Sequence, residues 1–207
     1  MMKDKALVIF DMDGTLVNSS LTIANAINHV RKHLGLPPME SEEILKKVND
    51  HTIDPAYTFY NARRFEPHHE KLFTEYYTKN HDKELELYDG VKSLLGALKL
   101  EGKALGLATN AYRHSTIESL KHLDIYDKFD AVACYDDVSR GKPEPDMLYR
   151  VLDELQVPKE HAVFIGDGSR DLLAAQKAEI DYIMVNWGFS EYHDALKSIE
   201  GLREILL

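Results

Sequence analysis

The sequence predicts an α/β protein in which a parallel β-sheet is flanked by helices and interrupted by an all-helical insertion. Three observations predict this fold class. Short apolar runs recur along the chain. Segments with helical periodicity separate these runs from residue 90 onwards. A long stretch near the N-terminus, by contrast, shows helical patterns alone.

Five apolar runs are candidate strands. Runs of about four to six apolar residues that contain Val and Ile are typical of strands covered on both faces. The runs are ALVIF (6–10), KALGLAT (103–109), DAVACY (130–135), HAVFIGD (161–167) and DYIMVNW (181–187).

Helical patterns lie between the strand candidates, with apolar residues three and four positions apart. They occupy 89–102, 114–124, 145–155 and 169–179. Gly102 fits a helix end, Pro145 fits a first turn, and Ile117 and Leu120 are apolar positions of the second pattern. Because strand and helix alternate, we expect a parallel sheet with helices on both faces.

The interval 18–88 breaks the alternation and is predicted to be wholly helical. Its first helix carries Ile23, Ile27, Val30 and Leu34 on one face. The segment GLPPM ends that helix, and the pairs Asp-Pro at 54–55 and Glu-Pro at 66–67 mark further boundaries. The predicted organisation is therefore a core formed by 1–17 and 89–207, with the insertion 18–88.

Composition limits the partners and the compartment. The 207 residues are 44% hydrophobic, which is ample for a packed core, and the net charge is -10. This acidic balance argues against nucleic acid or an anionic membrane as a partner. The single cysteine, Cys134, excludes a disulfide within the chain and suits a reducing compartment. The N-terminal apolar run breaks at Asp11, too early for a secretion signal. We expect a cytoplasmic protein, either a monomer or a homodimer, with no membrane partner.

Polar residues stand where the predicted strands end. In open parallel sheets, ligands bind beyond the carboxyl ends of the strands. The residues in question are Asp11 and Asp13 after the first strand, Thr109 and Asn110 after the second, Lys142 after the third, and Asp167 and Asp171 after the fourth. Gathered carboxylates repel one another, and a hard divalent cation such as Mg²⁺ relieves that repulsion. A lysine, a hydroxyl and the backbone amides of Gly-rich turns favour a phosphate beside the metal.

Four motifs, DMDGTL, TN, RGKPEPD and GDGSRD, occur in this order along the chain. With them the chain resembles the haloacid dehalogenase superfamily, and its layout is similar to that of phosphoglycolate phosphatases. The resemblance covers the whole chain. It implies a Rossmann-like parallel-sheet core, with the helical insertion as the cap domain of that superfamily.

The resemblance also implies the chemistry. Asp11 would be the nucleophile that attacks phosphorus and forms an aspartyl-phosphate. Asp13 would protonate the leaving oxygen and later activate water. An acid in this second position favours phosphoryl transfer over dehalogenation, because a leaving alcohol needs a proton and a leaving halide does not.

The same resemblance implies the binding roles. Thr109 and the backbone of Asn110 would hold phosphate oxygens, and Lys142 would neutralise the phosphate and the nucleophile. Asp167 would bind Mg²⁺ together with the Asp11 carboxylate and the backbone carbonyl of Asp13. Asp171 would either support the metal or orient Lys142.

The insertion is expected to choose the substrate. Asn49 and His51 lie where the family often carries a specificity loop, and they either contact the leaving group or cap a helix. The stretch lacks the glycine expected there, and Tyr88-Asp89-Gly90 departs from the more usual Pro-Gly pair. These departures concern the substrate and leave the chemistry unaffected.

The sequence therefore predicts a magnesium-dependent phosphatase of a small phosphorylated metabolite, with phosphoglycolate first among the candidates. A phosphoglucomutase-like phosphoryl transferase is one alternative, because the same motifs would pass the phosphoryl group to a sugar instead of water. A phosphate-binding module without turnover is another, although all four motifs are intact.

Overall fold

The structure is a computed structural model that describes residues 2–48, 50–187, 192 and 194–207. Its strands in chain order are β1 (Leu7–Phe10), β2 (Val17–Asn18), β3 (Glu86–Leu87), β4 (Ala104–Ala108), β5 (Ala131–Ala133), β6 (Ala162–Gly166) and β7 (Asp181–Met184). Within these residues, the main sheet has five parallel strands in the spatial order β5-β4-β1-β6-β7. The predicted α/β fold class is confirmed.

The helices surround this sheet and fill the insertion. They are α1 (Ser20–His33), α2 (Ser41–Val48), α3 (Pro55–Tyr60), α4 (Pro67–Glu84), α5 (Val91–Leu100), α6 (Arg113–His122), α7 (Asp146–Leu155), α8 (Ser169–Ala178) and α9 (Ile199–Leu206). None of them, over the residues described, has the length and apolar character needed to cross a bilayer.

The central strand β1 is buried on both faces, as its apolar run predicts. Val8 and Phe10 share an apolar cluster with residues of α5 and α9. Leu7 and Ile9, which alternate with them, share a second cluster with residues of α7 and α8. All four side chains are fully buried. The sheet is therefore the middle layer of three, which holds β1 rigidly.

The insertion has an apolar cluster of its own. Ile23, Ile27 and Val30 of α1 pack with Ile44 of α2 and with residues of α3 and α4. α1 packs most extensively against α4. The antiparallel pair of β2 and β3 closes the base of the insertion, with Val17 opposite Leu87.

Helix α6 departs from its predicted pattern. Leu120 is buried as expected, but Ile117 is only half-buried. Three hydroxyl residues of the same helix, Ser115, Thr116 and Ser119, are buried instead. The face of α6 that is turned inwards is therefore polar, and α6 packs against α4 of the insertion.

Candidate active site

The topology creates a crevice at the carboxyl end of β1. The chain continues to β4 on one side of β1 and to β6 on the other. Such a reversal of strand order opens a space between the flanking loops. Asp11 directly follows β1, Thr109 directly follows β4, and Asp167 directly follows β6. The structure thus brings these residues to one edge of the sheet.

Lys142 lies buried between two carboxylates. Its Nζ is 2.5 Å from Asp11 Oδ1 and 2.6 Å from Asp171 Oδ1. Burial alone would lower the pKa of Lys142, but the charges of Asp11 and Asp171 raise it above its ordinary value. The ammonium therefore stays protonated and offsets part of the negative charge of the site.

Three of the predicted metal ligands form one cluster. Carboxylate oxygens of Asp11, Asp167 and Asp171 lie within 4.8 Å of one another, and all three residues are buried. Burial raises the pKa of Asp11 to about 7, against the lowering effect of Lys142. Burial and the neighbouring Asp11 and Asp171 raise the pKa of Asp167 well above its ordinary value. Such a cluster of oxygen donors is a good site for a hard cation.

The first motif turns tightly beneath this cluster. Gly14 has φ +80°, and a Cβ at this position would lie 2.2 Å from Asp167 Oδ2. A side chain at residue 14 would therefore strain the backbone and displace a carboxylate of the cluster. Gly14 also donates its N–H to the Val17 carbonyl at 2.9 Å, which directs the chain into β2.

Asp13 stands apart from the three clustered carboxylates. Its side chain is half-buried, and its carboxylate does not belong to the cluster found among the described residues. Burial raises the pKa of Asp13, while the neighbouring Ser19 hydroxyl and the charge of Lys142 lower it. The predicted metal contact at this position was the backbone carbonyl, so a carboxylate outside the cluster is consistent with that prediction.

The side chain of Asn110 fixes the backbone of Lys142. Its Oδ1 accepts a hydrogen bond from the Lys142 N–H at 2.8 Å, and its Nδ2 donates to the Lys142 carbonyl at 3.0 Å. The neighbouring Thr109 is almost fully buried, and its Oγ1 accepts from the Ala111 N–H at 3.1 Å. The loop after β4 is thereby joined to the loop that carries Lys142.

The first turn of α8 meets the insertion. Nδ1 of His51 is 2.7 Å from Ser169 Oγ, and Arg170 Nη2 donates to the Asp50 carbonyl at 2.9 Å. His51 thus contacts Ser169, which lies two positions after Asp167 in the chain. The other predicted specificity residue, Asn49, lies outside the described residues.

Two contributions were not predicted from the sequence. The predicted binding role of Asn110 was that of its backbone, no contact with Lys142 was predicted for its amide side chain, and Arg170 was not singled out. Both act through hydrogen bonds to backbone atoms that are distant in the chain. Their position inside the motifs TN and GDGSRD was the only available signal, since residue type does not reveal a tertiary backbone partner.

The chain is similar to known hydrolases over most of its length. The family model described as haloacid dehalogenase-like hydrolase matches residues 8–185. A phosphoglycolate phosphatase of Yersinia pestis is 33% identical over 205 residues, covering 95% of this chain and 88% of the relative. A pyrophosphatase PpaX of Bacillus cereus is 31% identical over 183 residues, covering 87% of this chain and 82% of the relative.

A solved structure of a haloacid dehalogenase-like hydrolase from Streptococcus pneumoniae superposes with a TM-score of 0.82 at 25% identity, covering 99% of each chain. The predictions of an enzyme of the phosphatase-type hydrolase class, and of a likeness to phosphoglycolate phosphatases, are confirmed. The chain belongs to the haloacid dehalogenase-like hydrolase family.

Proposed function

We propose that this protein is a magnesium-dependent phosphatase that hydrolyses a small phosphorylated metabolite through an aspartyl-phosphate on Asp11. One observation carries the proposal: a buried lysine and three buried carboxylates converge at the carboxyl edge of β1. Such a site combines a nucleophile, a cation binding site and a fixed positive charge. These are the parts that phosphoryl transfer requires.

The residues present fit Mg²⁺. The clustered donors are all carboxylate oxygens, which is the donor type that this ion prefers. Asp11, Asp167 and Asp171 would hold the ion, with the backbone carbonyl of Asp13 as a further proposed ligand. The absence of a side chain at Gly14 keeps space open beside Asp167. When bound, Mg²⁺ withdraws charge from the phosphate oxygens and so favours attack at phosphorus.

In the first step, a carboxylate oxygen of Asp11 attacks phosphorus, and the bond from phosphorus to the leaving oxygen breaks. Asp13 gives its proton to that oxygen, so the product leaves as a neutral alcohol. In the second step, Asp13 takes a proton from water, and the water oxygen attacks the aspartyl-phosphate. Inorganic phosphate leaves and Asp11 is regenerated. Lys142 offsets the charge of Asp11 and of the phosphate in both steps.

We propose that the insertion 18–88 is a cap over the crevice and that Thr109 and the backbone of Asn110 bind the phosphate. The contacts of Asp50 and His51 with α8 support a cap that closes on the core. Closure would exclude bulk water during the first step. Asn49 and His51 remain proposed substrate contacts. The sequence prediction and the names of the relatives put phosphoglycolate and pyrophosphate on the substrate panel.

Phosphate release from a panel of phosphorylated metabolites, with Mg²⁺ and with EDTA, tests the proposal. We expect release that needs Mg²⁺ and is lost in Asp11→Asn. The matched control is Asp127→Asn, which changes an exposed aspartate and should retain activity. Mg²⁺ binding without release from any compound would overturn the phosphatase and favour a binding module. Transfer of labelled phosphate to a sugar phosphate, in place of water, would favour a mutase.

A further inference from the structure

Histidine rings lie close to one another at three places in the described part of the chain. Two of these pairs lie within a single helix each, one in α1 and one in α4. The third pair consists of His81, in the last turn of α4, and His122, the last residue of α6. Because α4 belongs to the insertion and α6 to the core, this pair connects the two parts of the fold.

The spacing of His81 and His122 suits a shared metal ion. Their ring centroids are 5.6 Å apart, and the ring planes are inclined by 82°. Two imidazoles that bind one tetrahedral Zn²⁺ at the usual Zn–N distance have their ring centres about 5 Å apart. A small side-chain rotation would therefore bring one nitrogen of each ring to the same ion. His81 is half-buried and His122 is exposed, so the pair is open to solvent on the His122 side.

A hydrogen bond fixes the ring of His81. Its Nδ1 lies 2.7 Å from the carbonyl oxygen of Thr78. Because a carbonyl oxygen can only accept, Nδ1 carries a proton, and Nε2 of the neutral ring keeps its lone pair. Histidines that bind metals almost always donate their other ring N–H in this way, which sets the ring orientation and makes the binding nitrogen more basic. Nε2 of His81 is therefore available as a ligand on a ring that is already held in place.

The donor atoms select the class of ion. Imidazole nitrogen suits Zn²⁺, Ni²⁺ and Cu²⁺, whereas Mg²⁺ prefers oxygen. Within the described ranges, three potential side-chain ligands come together only at Asp11, Asp167 and Asp171. Water molecules would therefore complete the shell of an ion at the histidine pair. Structural zinc sites have four protein ligands, so a site with two histidines should bind its ion reversibly.

We propose that His81 and His122 form a binding site for a transition-metal ion of the Zn²⁺ type, which joins the insertion to the core. Helices α4 and α6 already pack against each other. His81 lies shortly before β3, where the insertion returns to the core. An ion bound here would hold α4 against α6 near the base of the insertion and would restrain its movement. The effect of this restraint on turnover rests on the proposed function of the insertion as a cap.

Calorimetric titration with Zn²⁺ tests the site. We expect His81→Gln and His122→Gln each to weaken the histidine site by about tenfold or more, since loss of even an indirect partner of a ligand weakens metal binding by roughly 10- to 100-fold. The matched control His114→Gln removes another exposed histidine of α6 and should bind Zn²⁺ as the wild type does. Any Zn²⁺ bound by the aspartates would be common to all these proteins. If the wild type and both variants bind Zn²⁺ with equal affinity and stoichiometry, the two rings form only an edge-to-face aromatic contact, and the proposal is overturned.

Phosphate release tests the restraint of the insertion. In excess Mg²⁺, we expect Zn²⁺ to lower kcat at least about twofold more in the wild type than in His122→Gln, because movement of a lid limits turnover in many enzymes. Zn²⁺ that displaces Mg²⁺ from the aspartates would inhibit both proteins equally. Equal inhibition would therefore overturn the restraint, while the titration decides on the site itself. Absence of release from every compound, with and without Zn²⁺, would instead reject the proposed function.

Discussion

Lys142 is held at both ends of its side chain. Asn110 fixes its backbone through two hydrogen bonds, and Asp11 and Asp171 fix its ammonium. The lysine therefore has little freedom to choose another rotamer. Because phosphoryl transfer depends on placing charge where it develops, this double attachment is a means of keeping the site preorganised.

Removal of the Asn110 side-chain amide should give Lys142 more conformational freedom while leaving the fold intact. We expect Asn110→Ala to lower kcat by roughly tenfold to hundredfold, since a displacement of about 1 Å in an active site has effects of this size. The rate of phosphate release at saturating substrate measures kcat. Asn80→Ala is the control, because it also removes an amide that donates to a backbone carbonyl, within α4. A kcat within about twofold of the wild type would show that Asn110 does not position Lys142.

Gly14 and Gly102 form a natural pair for a second test. Both have positive φ, +80° and +75°, but only at Gly14 would a Cβ meet Asp167, while nothing lies within 4 Å at Gly102. We expect both alanine variants to lose roughly 1–2 kcal/mol of unfolding free energy from backbone strain. Only Gly14→Ala should also lose Mg²⁺-dependent phosphate release, because it displaces a carboxylate of the cluster. Equal activity in the two variants would contradict this reading of Gly14.

At the scale of elements, an ion pair joins α6 to the turn that follows β5. Arg113 at the start of α6 donates through Nε and Nη2 to Asp137 at 2.7 and 2.6 Å. The same Nη2 also donates to the Val132 carbonyl of β5 at 2.6 Å. Asp137 in turn accepts from the Cys134 N–H at 2.8 Å. These bonds hold the edge strand against the helix that faces the insertion.

The pair makes stability depend on pH in a definite direction. Burial would raise the pKa of Asp137, but Arg113 and the Cys134 N–H outweigh it and keep that pKa below 3.8. A lowered carboxyl pKa contributes stability that is complete above the unfolded value and is lost as the pH falls through the folded value. The expected loss in Asp137→Asn is about 1–3 kcal/mol at neutral pH, towards the lower end because Arg113 is partly exposed.

Urea denaturation at neutral pH and near pH 3 (about the range in which a carboxyl group titrates) measures this dependence. The difference in unfolding free energy between the wild type and Asp137→Asn should be smaller at the lower pH. Asp124→Asn is the control, since Asp124 pairs with Lys92 on the surface and is 85% exposed, so its loss should not be measurable. If the difference in unfolding free energy is the same at both pH values, the ion pair is not the source of that difference.

Strands that have a continuous apolar run in the sequence were predicted. Strands that form only by pairing with a distant segment were not. β1, β4 and β6 are found within their apolar runs because burial on both faces leaves a continuous signal. β2 and β3 escaped prediction, since each has two residues and pairs with a partner far along the chain. Helix α9 was not among the predicted helices either.

The site shows the same division. The acids and Lys142 could be anticipated because they follow strands whose ends meet at one edge of the sheet. The polar face of α6 could not, because Ser115, Thr116 and Ser119 carry no apolar periodicity and Ile117 suggested a different face. The clamp of Asn110 on Lys142 depends on two loops that meet only in the folded chain.

For the molecule as a whole, the charge of the site opposes the stability of the fold. Asp11, Asp167 and Asp171 carry three negative charges when ionised, and Lys142 returns one positive charge, which leaves two in a buried space. The raised pKa of Asp167 reflects this burial and the neighbouring carboxylates. A divalent cation would balance the two charges that remain. The protein without a cation is therefore expected to be less stable than its packing alone would make it.

Thermal unfolding with and without Mg²⁺ measures how much the uncompensated charge of the site lowers the stability of the protein. Because a ligand that binds the folded state stabilises it by mass action, Mg²⁺ at a hundred times its Kd should add about 2.7 kcal/mol to the unfolding free energy. Asp167→Asn should lose that increment and should melt, in EDTA, no lower than the wild type, since it removes a buried charge from a repulsive cluster. Sodium chloride at matched ionic strength controls for screening. An equal Mg²⁺ shift in wild type and variant would place the cation elsewhere. A lower melting temperature of the variant in EDTA would mean that Asp167 stabilises the fold through its hydrogen bonds more than its charge destabilises it.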